Sequence, residues 1–208
     1  MSRLVVATTN VGKLREIEKL LDGITFTLVT LADWPEVAPP EETGRTFAEN
    51  ARLKALYYAR HTGELTVAED SGLEIDALGG APGVESARFG GSSSSYSEKF
   101  AVLYDALRAK KAAGGTARFV CTLALARHGD VLFETRGTVE GTIAPEPKGA
   151  GGFGYDPIFF YPPFGCTLAE ASPERKSTVS HRGEAFRKLR TYLMTYNAEL
   201  AENAENTS

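Results

Sequence analysis

The sequence predicts an α/β protein, an elongated mixed β-sheet core with flanking helices gathered into two lobes of a single folding unit. Three observations lead there. Short apolar runs alternate with stretches of helical periodicity through the first seventy residues, the middle of the chain holds two long strand-like runs around a short turn, and the chain closes on a helix. With 208 residues, 42% of them hydrophobic and 24% charged, there is material for one extended core and no sign of the compositions that mark disorder.

Arg3 to Ala7 reads as a buried strand, Thr8 to Gly12 as a tight turn, and Lys13 to Leu21 as a helix with Leu14, Ile17 and Leu21 on one face and Gly23 as its stop. Thr25 to Leu31 follows as a second strand, and Pro35, Pro39 and Pro40 deliver the chain to a loop at Glu41-Glu42-Thr43-Gly44. Thr46-Phe-Ala-Glu49 has capping-box form and opens a helix to about His61, on which Asn50 and Lys54 share a face. Leu65 to Ala68 is a strand, with Glu69 and Asp70 marking its end. Ser95-Tyr-Ser-Glu98 is a second capping box, opening a helix whose apolar face is Phe100, Leu103, Tyr104 and Leu107 and which Gly114-Gly115 closes. Ala117 to Arg127 and Val131 to Ala144 flank His128-Gly-Asp130 and form an antiparallel hairpin, assigned to the sheet of the second lobe. Pro145 to Cys166 is punctuated by Gly and Pro. A helix from about His181 to Tyr196 buries Phe186, Leu189, Leu193 and Tyr196. The domain is expected to span 1–197, with 198–208 a polar tail that frays.

A net charge of −4 offers no broad basic surface, so nucleic acid is not expected as a partner. No apolar stretch reaches membrane-spanning length, and the N-terminus lacks the apolar core of a signal peptide. Cys121 and Cys166 lack CxxC spacing, which fits a reducing cytoplasm and neither a disulfide framework nor a zinc site.

Three segments carry candidate chemistry. The turn Thr8-Thr9-Asn10-Val11-Gly12 with Lys13 places hydroxyls, a glycine and a lysine at a helix start, where unpaired N–H groups and the helix dipole attract an anion such as phosphate. It departs from a Walker loop, since Ala7 and Leu14 stand where that motif needs Gly and Ser or Thr, and an ordinary turn with a surface lysine remains an alternative. Glu41, Glu42, Glu69 and Asp70 form a carboxylate group of the kind that holds Mg2+ together with substrate phosphates; strand alternation brings one of Glu69 and Asp70 into a site, whereas Glu74 and Asp76 read as solvated. Lys176, His181 and Arg182 concentrate donors at a helix start where basic residues oppose the dipole unless a ligand supplies acceptors. Gly149 to Gly154 spells GxGxxG, but flanking prolines exclude the dinucleotide-binding context.

In order along the chain stand Thr8-Thr-Asn-Val-Gly-Lys13, Glu42-Thr-Gly44 with Thr46-Phe-Ala-Glu-Asn50-Ala, Glu69-Asp-Ser-Gly72, Leu78-Gly-Gly-Ala-Pro-Gly83, Gly152-Phe-Gly-Tyr-Asp156-Pro and Ser180-His-Arg-Gly183. Together they resemble the inosine triphosphate pyrophosphatase family, which hydrolyses ITP, XTP and their deoxy forms to monophosphate and pyrophosphate. The resemblance implies two lobes with the active site in the cleft between them, Asp70 as general base and metal ligand, Glu42 as a second Mg2+ ligand, and Thr8, Thr9, Asn10, Val11, Gly12 and Lys13 on the triphosphate. Phe153 is implied to stack on the purine, Ser71 and Gly154, Tyr155 and Asp156 to line the pocket, and Lys176, His181 and Arg182 to read the base. A cytoplasmic homodimer acting on purine nucleoside triphosphates is implied too. The chain departs from the commonest pattern at Thr9, where Gly is frequent, and at Glu69, which replaces the first of two aspartates. A pyrophosphatase of methylated or pyrimidine nucleotides, as in the related septum-formation inhibitor family, and a nucleotide-binding module without catalysis are the competing readings.

Overall fold

A computed structural model describes residues 2–112 and 114–205, with side chains as far as Asn197. Seven strands form one mixed sheet in the order β2-β1-β3-β4-β5-β6-β7. The strands are β1 (Arg3–Val6), β2 (Thr27–Thr30), β3 (Leu65–Ile75), β4 (Thr116–Arg127), β5 (Asp130–Ile143), β6 (Phe159–Tyr161) and β7 (Cys166–Thr167). The helices are α1 (Val11–Leu20), α2 (Phe47–Thr62), α3 (Tyr96–Ala109), α4 (Pro173–Ser177) and α5 (His181–Glu205). β1 pairs in parallel with β2 and β3, and β6 pairs antiparallel with β5 and β7.

Local signals set these elements. Asn10 caps α1, its side chain accepting from the Lys13 N–H. Both capping boxes form, at Thr46 with Glu49 and at Ser95 with Glu98. Gly63 ends α2 in the left-handed conformation, φ 71°. His128 and Gly129 both have positive φ, 53° and 96°, the geometry of a two-residue hairpin turn between β4 and β5.

The chain divides into two compact units. Unit one holds Met1–Asp70, Thr122–Arg136 and Arg182–Ser208; unit two holds Ser71–Cys121 and Gly137–His181. Unit one contains an alanine-lined core in which Ala51, Ala55 and Ala59 of α2 meet Ala7, Ala68, Ala124 and Ala126, small side chains that bring helix and strands close together. In unit two Leu73, Ile75, Phe100, Leu103, Leu107, Phe119, Tyr155 and Phe159 are buried in one cluster.

The structure differs from the sequence reading at five points. β3 does not end at Glu69 and Asp70 but runs through them to Ile75, because both carboxylates find cationic or amide partners and tolerate burial in mid-strand. The β4–β5 hairpin does not belong to the second unit alone, since its turn lies in unit one. α3 stops at Ala109, ahead of the glycines expected to close it, with Lys111 at φ 54°. The Pro145 to Cys166 stretch contains β6, and α4 precedes the last helix. α5 continues to Glu205, beyond the boundary set at Tyr196; of the expected tail, 206–208 lie outside the described residues.

Candidate active site

In unit one the sheet order places β3 beside β1, and α1 follows β1 directly, so the phosphate-turn residues and the β3 carboxylates share a neighbourhood. Asn10 N–H donates to Thr8 Oγ1 at 3.2 Å, and Lys13 N–H donates to Asn10 Oδ1 at 3.1 Å, which fixes the turn at the positive end of α1. Thr9, Asn10 and Val11 are exposed, Val11 at 59%, while Thr8, Gly12 and Lys13 are half-buried. The Lys13 ammonium lies 3.0 Å from Glu69 Oε1.

Glu69 and Asp70 project to opposite sides of β3, as alternation requires. The Glu69 carboxylate also accepts from Arg182 Nε at 3.2 Å, and Arg182 Nη1 donates to Glu16 at 2.7 Å. Arg182, at 2% exposure, is among the largest fully buried side chains of the chain. Burial alone would raise the Glu69 pKa, but Arg182, Lys13 and Lys54 outweigh it and hold the carboxyl well below the ordinary glutamate value.

Asp70 meets α2 instead. Its Oδ1 lies 3.2 Å from Lys54 Nζ and its Oδ2 accepts from Asn50 Nδ2 at 3.1 Å. The same Lys54 ammonium donates to Glu42 Oε1 at 2.7 Å, joining the loop carboxylate to Asp70. Burial pushes the Asp70 pKa up, Glu42 adds to this, and the opposing Lys54, Lys13 and Asn50 do not cancel them. Burial works against the Lys54 cation, yet Asp70 and Glu42 hold its pKa above the ordinary lysine value. Among the described residues no group of three or more His, Cys, Asp or Glu side chains could hold a metal ion. The available donors are the carboxylate pair Glu42 and Asp70, whose oxygens converge on one ammonium. Mg2+ uses one or two carboxylates with substrate phosphates, so this pair fits it.

Unit two gathers another set. Asp156, 2% exposed, accepts from Phe153 N–H at 2.8 Å and from Lys176 Nζ at 2.6 Å. The Lys176 ammonium is 4.8 Å from the centre of the Phe153 ring, which is 37% exposed. Gly152, at φ 70°, leaves room for the Asp156 carboxylate, because a Cβ there would stand 2.1 Å from Asp156 Oδ2. Gly154 adopts φ 68°. Tyr155 is buried, donates to Ser86 O at 2.9 Å and meets Tyr96 edge-on at 5.4 Å. Burial raises its pKa. His181 stacks on Phe119 at 5.0 Å. Ser71, half-buried on β3, is the first residue of this unit.

The structure thus gathers Lys13, Glu42 and Asp70 in unit one and Phe153, Tyr155, Asp156, Lys176 and His181 in unit two. Arg182 falls in unit one, on Glu69 and Glu16. Asn50, Lys54 and Glu16 were not named as site residues from sequence. The α2 pair was within reach, since a capping box fixes the helix phase and puts Asn50 and Lys54 on one face.

A model of the Ham1 family matches residues 4–192. The chain is 48% identical over 193 residues to a dITP/XTP pyrophosphatase of Geobacter sulfurreducens, covering 93% of this chain and 97% of that one. It is 45% identical over 194 residues to one of Exiguobacterium sp., covering 93% and 98%. The fold resembles a HAM1 protein from Coxiella burnetii with a TM-score of 0.88 at 40% identity, covering 94% and 100% of the two chains. It resembles a nucleoside-triphosphatase, dITP/XTP pyrophosphatase, from Mycobacterium abscessus with a TM-score of 0.73 at 40% identity, covering 90% and 97%.

Proposed function

This chain belongs to the Ham1 family, and we propose that it hydrolyses non-standard purine nucleoside triphosphates, ITP, dITP and XTP, to the monophosphate and pyrophosphate. The observation that carries the reading is the setting of Asp70. A carboxylate only 7% exposed, with a raised pKa and with Glu42 joined to it through one ammonium, is the arrangement a general base needs.

Asp70 takes the proton of the attacking water and hands it to solvent. Its pKa is raised above the ordinary aspartate value, so proton acceptance costs less than at an ordinary aspartate. Glu42 and Asp70 would hold Mg2+, which when bound neutralises phosphate charge and acidifies water. Lys54 keeps the two carboxylates at hydrogen-bonding distance from one point and offsets their repulsion. Thr8, Thr9, Asn10, Val11, Gly12 and Lys13 bind the triphosphate through the positive end of α1, and Lys13 adds a full charge. No nucleophilic side chain is required, because attack on the α-phosphorus by water needs positioning and charge stabilisation.

The residues assigned to the purine lie in unit two. Phe153 offers an exposed ring for stacking, while Ser71, Gly154, Tyr155 and Asp156 shape its surroundings. Lys176, oriented by Asp156, and His181 donate to a 6-keto oxygen; against the 6-amino group of adenine they would face donor to donor. A site built to pair a polar group discriminates by roughly 10⁴-fold when the pairing fails. Arg182, buried on Glu69 and Glu16, supports this work by holding the β3 strand on which Asp70 sits. Cys121 and Cys166 are not joined in a disulfide, and no described helix is long and apolar enough to cross a membrane. These support a cytoplasmic protein, and the family resemblance supports a homodimer.

Product analysis by 31P NMR tests the reading, with the purified protein, Mg2+, and ITP, XTP or ATP in parallel. Pyrophosphate with IMP or XMP, and little turnover of ATP, is expected. Orthophosphate with a nucleoside diphosphate, or no turnover, would overturn it.

A further inference from the structure

We infer that Asn50 is a positioning residue that sets the Asp70 carboxylate and locks it to the loop carrying Glu42. The inference rests on the reading of Asp70 as the base. Asn50 is completely buried, on the first turns of α2. Its Oδ1 accepts from the Gly44 N–H at 2.8 Å, and its Nδ2 donates to Asp70 Oδ2 at 3.1 Å. The amide has no freedom to turn over. A backbone N–H can only donate and an ionised carboxylate can only accept, so each partner dictates which end of the amide it receives.

A closed ring results. Gly44 N–H binds Asn50, Asn50 binds one oxygen of Asp70, Lys54 binds the other oxygen and also Glu42, and Glu42 lies two residues before Gly44 in the same loop. Each Asp70 oxygen therefore has one donor, which fixes the plane of the carboxylate and leaves further lone pairs for water or a cation. Lys54 alone could not do this, because an ammonium on a flexible stem constrains distance more than orientation. The loop is built for the contact. A Cβ at Gly44 would stand 2.5 Å from Asn50 Oδ1 and 2.9 Å from Asn50 N, so glycine is needed there for space alone.

The ring is tested from both ends. Asn50→Ala removes both bonds, Asn50→Asp keeps the acceptor for Gly44 and loses the donor to Asp70, and Gly44→Ala pushes Asn50 from its place. Each is expected to lower kcat for ITP by about a hundredfold, the scale of a misplaced catalytic group, with KM unchanged. Asn50→Asp sets a second buried carboxylate against Asp70 and should melt no higher than Asn50→Ala, so kcat is read at a temperature where circular dichroism shows every variant folded, which separates orientation from folding. The double variant Asn50→Ala with Gly44→Ala should be no slower than the worse single variant, since both break one unit. If Asp70→Asn is inactive but Asn50→Asp and Gly44→Ala keep wild-type kcat, the positioning role is overturned and the reading of Asp70 stands. If Asp70→Asn itself turns over ITP, that reading falls and the role of Asn50 with it.

Discussion

Glu69→Gln removes one charge from a buried cluster and leaves its shape nearly intact. Glu69 is 4% exposed and its Oε1 lies between Lys13 Nζ at 3.0 Å and Arg182 Nε at 3.2 Å. Arg182 is only 2% exposed and pairs also with Glu16, which is itself partly open. Removing one partner of a buried pair costs about 3–5 kcal/mol, and a glutamine that can still accept one bond belongs at the low end, about 3 kcal/mol. In a chain of this size each kcal/mol moves Tm by roughly 2–4 °C, so a fall of roughly 6–12 °C is expected at pH 7. The pH dependence has a definite sign. The folded Glu69 pKa lies well below the ordinary glutamate value of 4.5, so its contribution is complete above that value and is lost as pH falls through the folded pKa. Thermal melts of wild type and variant in EDTA, from pH 7 downward, should show a gap that is constant to about pH 4.5 and then closes. A gap under about 1 kcal/mol at pH 7, the size of an exposed pair, or one that widens in acid, would refute the assignment of Glu69 as a compensated buried charge.

Two further outcomes follow from the same site. Asp70→Asn should abolish turnover while nucleotide binding persists; turnover comparable with wild type would contradict the reading of Asp70 as the base. Lys176→Met should lower the ITP over ATP ratio of kcat/KM, because the oriented donor is lost while Phe153 keeps an apolar neighbour; an unchanged ratio would move base recognition elsewhere.

What the sequence disclosed is what depends on near neighbours along the chain. The Thr46 and Ser95 capping boxes, Gly63 after α2, and the turn at His128 and Gly129 are all settled within four residues of one another, and all form. Glu69 and Asp70 misled because a carboxylate pair ordinarily ends a buried strand; what lets β3 continue is Lys13 and Arg182 on one side and Lys54 and Asn50 on the other, none adjacent in sequence. β6 and α4 are too short, at three and five residues, for periodicity to register. Arg182 reads from sequence, with Lys176 and His181, as a donor awaiting a ligand in a basic first turn, and only the structure shows its burial and its ion pairs with Glu69 and Glu16.

Two adjacent carboxylates on one strand thus acquire opposite characters. Strand alternation sends Glu69 towards α1 and α5, where two cations hold it ionised at any ordinary pH. It sends Asp70 towards α2, where burial and Glu42 press against ionisation and one lysine and one amide only partly relieve it. When neighbouring titratable groups are driven apart in this way, the easily protonated one is suited to carry a proton and the other to remain a fixed charge. A glutamate at position 69 is intelligible on these terms. A longer side chain changes the reach of a structural anion towards Lys13 and Arg182, whereas the same change at Asp70 would shift the atom that must accept the proton.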